Sequence, residues 1–244
     1  KLAVKIRADV LLETGHSPGR GSADADTMAL MGCRLAWGSE TGKDKKLNAS
    51  RLKELAGGDT LAARPLYGRD TVEFQPTHKI ILLTNYKPQV AADDSALWER
   101  LHLIPFNIRF VDSPAKSNER KADHDLTEEL KSEASGILAW LVRGCLKFQQ
   151  EGLMPPACVR AAVSAYRKEE DDIGRFLNEL DLIHEGYEAR AGELYGRYVR
   201  WAYDNNLTPV SSISFGKEMG RRFKSYEKRY VFYVGVGWLK ENAQ

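Results

Sequence analysis

Two polar residues follow apolar stretches of strand length, where they are suited to phosphate chemistry. Glu40 follows the largely apolar residues 34–39, and Asn85 follows the nearly continuous apolar run 79–84. Ligands of open α/β sheets bind at the carboxyl ends of the strands, so both side chains are expected at one edge. There a Glu can hold Mg²⁺ or polarise a water, and an Asn can position that water against a γ-phosphate. Strands ending in Glu or Asn are common, so this pairing alone is a weak signal.

Positive charge is concentrated in two stretches, although the net charge of the chain is only +2. Residues 43–69 contain seven basic and three acidic residues, and residues 214–230 contain six basic and two acidic residues. Such clusters are expected where nucleic-acid phosphates are neutralised. A solvated, lysine-rich surface is the alternative interpretation.

The composition excludes several classes of protein. The 244 residues are 43% hydrophobic and 29% charged, which is typical of a globular chain. No apolar run approaches the roughly 20 residues of a membrane-spanning helix, so no membrane partner is expected. The three cysteines are far apart and odd in number, which excludes a disulfide framework and favours a reducing, cytoplasmic setting. Residues 15–19 match the GxSxG pattern of hydrolases, but Pro18 removes a backbone N–H that an oxyanion hole needs.

The elements that must position Glu40 and Asn85 indicate an α/β fold up to about residue 110. Asn48 is suited to cap a helix over residues 49–56, which Gly57 and Gly58 would end. Residues 60–74 indicate a β-hairpin with a basic tip. The unalternated run 79–85 is typical of a strand covered on both faces in a parallel sheet.

The remainder of the chain is predicted to be mainly helical. Apolar spacing predicts a helix over residues 123–150, and Pro155-Pro156 would open another that runs to Glu170. Helices near 173–183, 192–205 and 214–223, followed by a strand within 230–238, are typical of a winged helix-turn-helix. Tyr195, Tyr198 and Trp201 share a helix face, which favours core packing over stacking on bases. His78 and His102 adjoin strands and are expected to be partly buried.

Four segments closely resemble one known family. They are LKELAGGDTLAARPLY at residues 52–67, FQPTHK at 74–79, TNYKP at 84–88 and DDSALWERLHLIPF at 93–106. They resemble the superfamily III helicase core of phage, plasmid and poxvirus-type primase–helicases, over about residues 34–110. GRFL at 174–177 and LYGRYVRW at 194–201 resemble the C-terminal winged-helix segment of that family.

The resemblance implies a role for each matched residue. Glu40 would be the Walker-B acid, Asn85 the sensor of the γ-phosphate, and Arg100 an arginine finger acting on a neighbouring subunit. Glu99 stands where the family commonly has the first of two arginines. The expected DNA-binding residues are Arg64 and Arg69 in the hairpin, and Lys217, Arg221, Arg222, Lys228 and Arg229 in the C-terminal module.

The chain departs from the family in one respect, because GxxxxGK[ST] occurs nowhere in it. Without that loop there is no backbone cradle for phosphates. We therefore expect an incomplete AAA+/P-loop NTPase-type core over residues 1–112, a helical segment over 113–170 and a winged-helix module over 171–244. ATP and Mg²⁺ are expected cofactors of the intact protein, and none is expected for this chain.

Together these features imply the C-terminal part of a ring-forming, ATP-dependent DNA helicase that acts in replication of a phage or mobile element. Its partners would be DNA and further copies of itself. The alternative is a non-enzymatic DNA-binding or oligomerisation module in which the ATPase remnant is only structural.

Overall fold

The computed structural model describes residues 2–13, 24–39 and 42–238. They form two compact units, Lys1–Arg100 with Tyr166–Gln244 in the first and Leu101–Ala165 in the second. The domain boundaries expected from the sequence, after residues 112 and 170, stay predictions. Glu40 and the GxSxG pattern at residues 15–19 lie outside the described residues.

A small parallel sheet organises the N-terminal part of the first unit. Its three strands stand in the order β1 (Ala3–Lys5), β2 (Leu35–Ser39) and β5 (Lys79–Leu83). Strand β2 pairs with β5 in a register that runs from Leu35 opposite Lys79 to Ser39 opposite Leu83. The parallel arrangement predicted from the sequence is confirmed. The elements of this part are β1 (Ala3–Lys5), α1 (Ala25–Ala29), β2 (Leu35–Ser39), α2 (Ala49–Ala56), β3 (Leu61–Ala63), β4 (Val72–Phe74), β5 (Lys79–Leu83) and α3 (Ser95–Trp98).

Local signals explain why α2 and the hairpin form where they do. The Asn48 side chain accepts a hydrogen bond from the Arg51 amide at 2.9 Å, which caps α2, and Gly57 ends the helix. Strands β3 and β4 pair antiparallel, so the predicted hairpin is confirmed. Arg51 also reaches back to Asp24, the N-cap of α1, at 2.8 Å and ties the two helices together.

Strand β5 is covered on one face only. Ile80 and Leu82 pack against the core formed by β1, β2, α2 and their neighbours, whereas Ile81 and Leu83 are 46% and 53% exposed. The expectation of a strand covered on both faces is therefore wrong for this structure. The reason is that successive residues of a strand point to opposite faces of the sheet, and among the described residues the core covers only the face that carries Ile80 and Leu82.

The second unit consists of a short parallel pair and helices. The single helix predicted over residues 123–150 is in fact two, which meet at Glu133. Large apolar side chains of the longer helix, including Leu138 and Trp140, are exposed. His102 is also exposed, so the expectation that it is partly buried is wrong. The elements are β6 (Arg109–Val111), β7 (Glu119–Lys121), α4 (Leu126–Ser132), α5 (Ala134–Glu151) and α6 (Ala157–Glu169), whose last residues belong to the first unit.

The C-terminal module is built from three helices and a three-stranded antiparallel sheet of order β8-β10-β9. Tyr198 and Trp201 are buried in its core, and Tyr198 stacks on Phe215 with ring centroids 5.0 Å apart. Core packing of the aromatic face, favoured from the sequence, is thus confirmed. The elements are α7 (Asp172–Glu179), β8 (Glu188–Arg190), α8 (Ala191–Asp204), α9 (Ser212–Arg222), β9 (Ser225–Glu227) and β10 (Val231–Val234).

No helix within the described ranges combines the length and the apolar character that crossing a bilayer requires.

One buried polar side chain precedes β5. His78 is only 6% exposed, and neither ring nitrogen has a hydrogen-bond partner within the described part of the chain. Burial lowers the pKa of His78, because the desolvation of the charged imidazolium outweighs the favourable contribution of the nearby Leu55 backbone.

We expect the free energy of unfolding to fall as the pH drops below about 6.5, the pKa of a solvated histidine. Between that value and the lower pKa of folded His78, the unfolded chain takes up a proton that the native chain does not. Urea unfolding at pH 7.5, 6.5 and 5.5 should show this loss, and His78→Leu should reduce it. His102→Gln, at an exposed histidine, should leave the pH dependence unchanged. Equal slopes for the native chain and His78→Leu would contradict the assignment.

Candidate functional site

The carboxyl ends of β2 and β5 lie side by side in the sheet. Ser39, the last residue of β2, is paired with Leu83, the last residue of β5. Asn85 follows two residues later and is exposed. Glu40 follows Ser39 in the chain but lies outside the described residues, so its place beside Asn85 stays a prediction.

The segment after β5, residues 84–94, is here called the Asn85 loop. Its first turn is closed by Thr84, whose hydroxyl accepts a hydrogen bond from the Tyr86 amide at 3.1 Å and donates one to the Tyr86 carbonyl at 2.7 Å. Farther along, the Gln89 amide donates to the Lys45 carbonyl at 2.7 Å, and the Leu47 amide donates to the Gln89 carbonyl. The two ends of this stretch are therefore fixed, and Asn85 lies within the first turn.

Residues 166–171, at the end of α6, hold the Asn85 loop from the other side. The buried Tyr166 hydroxyl donates to the Pro88 carbonyl, and the Val90 amide donates to the Glu170 carboxylate at 2.9 Å. Burial raises the pKa of Tyr166, which therefore remains a proton donor. Two backbone groups of the loop are thus bonded to side chains about 80 residues later in the chain.

Trp98 of α3 completes this packing. Its indole N–H donates to the Ala91 carbonyl at 3.0 Å, and its ring meets Tyr166 edge to face with centroids 5.1 Å apart. Arg167 donates to the Ala92 carbonyl at 3.2 Å. The backbone between residues 88 and 92 is consequently fixed by four separate side-chain hydrogen bonds.

Arg100 lies just beyond α3 and is exposed. Its guanidinium donates to the Ala96 carbonyl at 2.7 Å, so the side chain folds back over its own helix. Asp94 caps α3 and accepts a hydrogen bond from Lys53 of α2 at 2.9 Å, which lowers the pKa of Asp94. The turn that presents Arg100 is therefore anchored to α2.

The two neighbouring arginines at the end of α9 have different surroundings. Arg222 is only 25% exposed and bonds Asp171 at 2.8 Å and Glu218 at 2.9 Å. Burial disfavours its charge, but these carboxylates outweigh that effect and raise the pKa of Arg222. Arg221 is 58% exposed and lies 3.1 Å from Glu218 and 3.5 Å from Asp93. Arg222 is thus engaged within the fold, whereas Arg221 faces solvent.

The remaining candidate DNA-binding residues divide in the same way. Lys217 on α9 and Lys228 and Arg229 in the β9–β10 turn are exposed, as is Arg69 in the β3–β4 hairpin. Arg64 is partly buried, with its Nε enclosed. Lys217, Arg221, Lys228 and Arg229 thus add exposed positive charge to the C-terminal module, and Arg69 adds it to the β3–β4 hairpin.

Arg190, which the sequence analysis did not single out, lies beside the basic β9–β10 turn. The Arg190 guanidinium lies 3.3 Å from the centre of the Tyr230 ring, and that of Arg229 lies 5.7 Å from it. Stacking on an aromatic ring holds a guanidinium in place while leaving its charge available.

In the described ranges, no three His, Cys, Asp or Glu side chains lie close enough to hold a metal ion.

Comparison with known proteins identifies the relatives of the chain. It is 33% identical over 215 residues, 84% of its length, to "Putative helicase 022R" of Frog virus 3 (isolate Goorha). It is 29% identical over 214 residues, 82% of its length, to "Putative helicase L207/L206" of Acanthamoeba polyphaga mimivirus. It is 25% identical over 220 residues, 85% of its length, to "Putative primase C962R" of African swine fever virus (isolate Warthog/Namibia/Wart80/1980).

The chain belongs to the primase–helicase family. It spans 22% of the length of the first two relatives and 23% of the third. No protein-family model matches it. The resemblance seen in the four motif segments is thereby confirmed.

Sequence reasoning missed the residues that hold the Asn85 loop of this primase–helicase segment. The sequence analysis places Glu170 at the end of a helix and assigns no role to Asp171. Instead Glu170 bonds the loop, while Asp171 both caps α7 and pairs with Arg222. Their partners lie 51 to 80 residues away in the chain, so no local spacing could reveal them.

The different surroundings of Arg221 and Arg222 predict different effects on stability. Arg222→Ala leaves the half-buried Asp171 without its guanidinium, and we expect it to lower the free energy of unfolding by about 1–3 kcal/mol. Arg221→Ala removes two ion pairs of a side chain that is 58% exposed and should cost less than about 1 kcal/mol. Urea unfolding of the two variants checks this, and equal losses would show that Arg222 is not the anchor.

Proposed function

We propose that this chain is the C-terminal part of a ring-forming, ATP-dependent DNA helicase that acts in the replication of a viral or mobile genome. The observation that carries the proposal is the parallel pairing of β2 with β5, whose last residues are followed in the chain by Glu40 and Asn85. That is the edge of an α/β sheet at which a nucleotide binds. Membership of the primase–helicase family supports the same assignment.

The residues of this chain do not by themselves fit ATP. Gly42-Lys43 and Gly216-Lys217 are followed by acidic residues, and neither belongs to a GxxxxGK[ST] loop. Backbone amides and a lysine that cradle the phosphates are thus missing from the 244 residues. ATP and Mg²⁺ are therefore assigned to the longer protein, and no hydrolytic step follows from this chain alone.

The C-terminal module is proposed to be a winged helix that contacts DNA. The order α7, β8, α8, α9 and then the β9–β10 hairpin supports this, because α9 occupies the place of a recognition helix and the hairpin that of a wing. The proposed phosphate contacts are the exposed Lys217, Arg221, Lys228 and Arg229, with Arg190 beside them. Arg222 is left out because its charge is already satisfied by Asp171 and Glu218.

Two further features support a ring that encloses DNA. Arg100 is exposed at an anchored turn, as an arginine finger that acts across a subunit boundary must be. The β3–β4 hairpin presents the exposed Arg69 and is proposed to contact DNA in the channel. Arg64, which is partly enclosed, would support the base of that hairpin.

The proposed DNA contact predicts binding with a strong dependence on salt. Affinity that rests on phosphates changes with a log–log slope of about −0.9 for each phosphate neutralised on duplex DNA. Replacing Lys228 and Arg229 together by Ala should flatten that slope by about 2 and weaken all sequences alike. Fluorescence anisotropy of a labelled duplex, titrated with the chain at several salt concentrations, measures the slope.

A matched pair of substitutions serves as the control. Lys131 and Lys147 are exposed lysines of α4 and α5 in the second unit, and replacing both removes the same charge. That variant should retain the original slope. If both double variants flatten the slope equally, net charge and not the wing determines binding.

The proposed arginine finger is tested in the intact protein. Arg100→Ala should leave ATP binding unchanged and lower the rate of hydrolysis on the order of 10³-fold, because a finger stabilises charge that develops on the γ-phosphate. Mixing it with an Asn85→Ala variant should restore part of the activity, since each subunit would supply what its neighbour lacks. Normal turnover by Arg100→Ala would contradict the assignment, as would turnover that fails to recover on mixing.

A further inference from the structure

Arg221 is paired with carboxylates from two different parts of the first unit. Glu218 belongs to the same helix and lies one turn earlier, whereas Asp93 belongs to the Asn85 loop. The guanidinium lies 3.5 Å from the Asp93 carboxylate, and both side chains are more than half exposed. An ion pair this open to solvent contributes little to stability and is readily exchanged.

Asp93 cannot follow Arg221 if that side chain moves. The preceding residue, Ala92, is bonded through its carbonyl to Arg167 at 3.2 Å. The following residue, Asp94, caps α3 and holds Lys53 at 2.9 Å. The backbone on each side of Asp93 is therefore anchored, whereas the long Arg221 side chain is 58% exposed and has Glu218, at 3.1 Å, as an alternative partner to Asp93.

We propose that Asp93 competes with nucleic-acid phosphate for Arg221, so that DNA binding at α9 is coupled to the Asn85 loop. This inference rests on the proposed function, since it requires that α9 contacts DNA. A phosphate that takes Arg221 breaks the link to the loop and leaves the Asp93 carboxylate uncompensated. Arg222 keeps α9 in place throughout through its pairs with Asp171 and Glu218.

The coupling must act in both directions. If phosphate binding weakens the Arg221–Asp93 pair by a given factor, then formation of the pair weakens phosphate binding by the same factor. Asn85 and Arg100 lie eight residues before and seven residues after Asp93. The occupancy of α9 by DNA would thus be sensed within the segment that carries Asn85 and Arg100, two of the three candidate ATPase residues.

A double-mutant cycle tests the competition in the 244-residue chain. Asp93→Asn keeps the size of the side chain but removes its charge, so it should raise the affinity for a 20-base-pair duplex about two- to fivefold at low salt. Arg221→Ala should lower the affinity. In the Arg221→Ala background, Asp93→Asn should then have no further effect.

Asp9→Asn is the control for net charge. Asp9 is exposed in a short helical turn of the N-terminal part, and its replacement removes the same single negative charge. It should change the affinity of the native chain by less than Asp93→Asn does, and by the same small amount in the Arg221→Ala background. A second readout is the Trp98 indole N–H, which is bonded to the Ala91 carbonyl two residues before Asp93. Its NMR signal should shift on addition of DNA to the native chain and shift less in Arg221→Ala.

The outcomes separate this inference from the proposed function. If Asp93→Asn raises the affinity equally with and without Arg221, or leaves it unchanged, the competition is wrong while DNA binding by the module stands. An unresponsive Trp98 signal in a chain that binds DNA would likewise overturn the coupling alone. If the native chain does not bind the duplex at low salt, both the inference and the proposed DNA contact are wrong.

Discussion

The acidic end of α6 is the feature on which the arrangement of the first unit depends. Glu170 accepts the Val90 amide of the Asn85 loop, and the next residue, Asp171, caps α7 and pairs with Arg222 of α9. Two successive carboxylates thus bind segments that lie 80 residues before and 51 residues after them. These contacts join the Asn85 loop, which follows the sheet, to the helices of the C-terminal module.

The strength of these links differs in a way that follows from burial. Tyr166 donates to the Pro88 carbonyl from a site closed to water, where an unmade hydrogen bond costs the full desolvation of both groups. Arg221 and Asp93 are open to solvent, where water and salt replace either partner at small cost. The buried Tyr166–Pro88 hydrogen bond therefore stays in place, whereas the exposed Arg221–Asp93 pair can exchange partners.

Local signals in the sequence predicted local structure well. The cap Asn48 and the stop Gly57-Gly58 bracket residues 49–56, and α2 occupies that range in the structure. The parallel pairing of the strands before Glu40 and Asn85 was also predicted, from their apolar character. What the pattern could not show is that one face of β5 is exposed, because a run of apolar residues does not reveal which elements cover a sheet.

The sequence could not predict which distant residues pair with each other, and the reason is physical. Arg221 and Arg222 are adjacent and identical in type, and nothing in their spacing distinguishes them. The distinction arises from the helical rotation of about 100° between neighbouring residues, which turns Arg222 toward Asp171 and Arg221 toward solvent. A basic cluster that is counted along the sequence overestimates the basic surface available to DNA. Part of its charge, that of Arg222, is paired with carboxylates within the fold. The exposed part, in contrast, includes Arg190, which lies outside the cluster in sequence and joins it only through the fold.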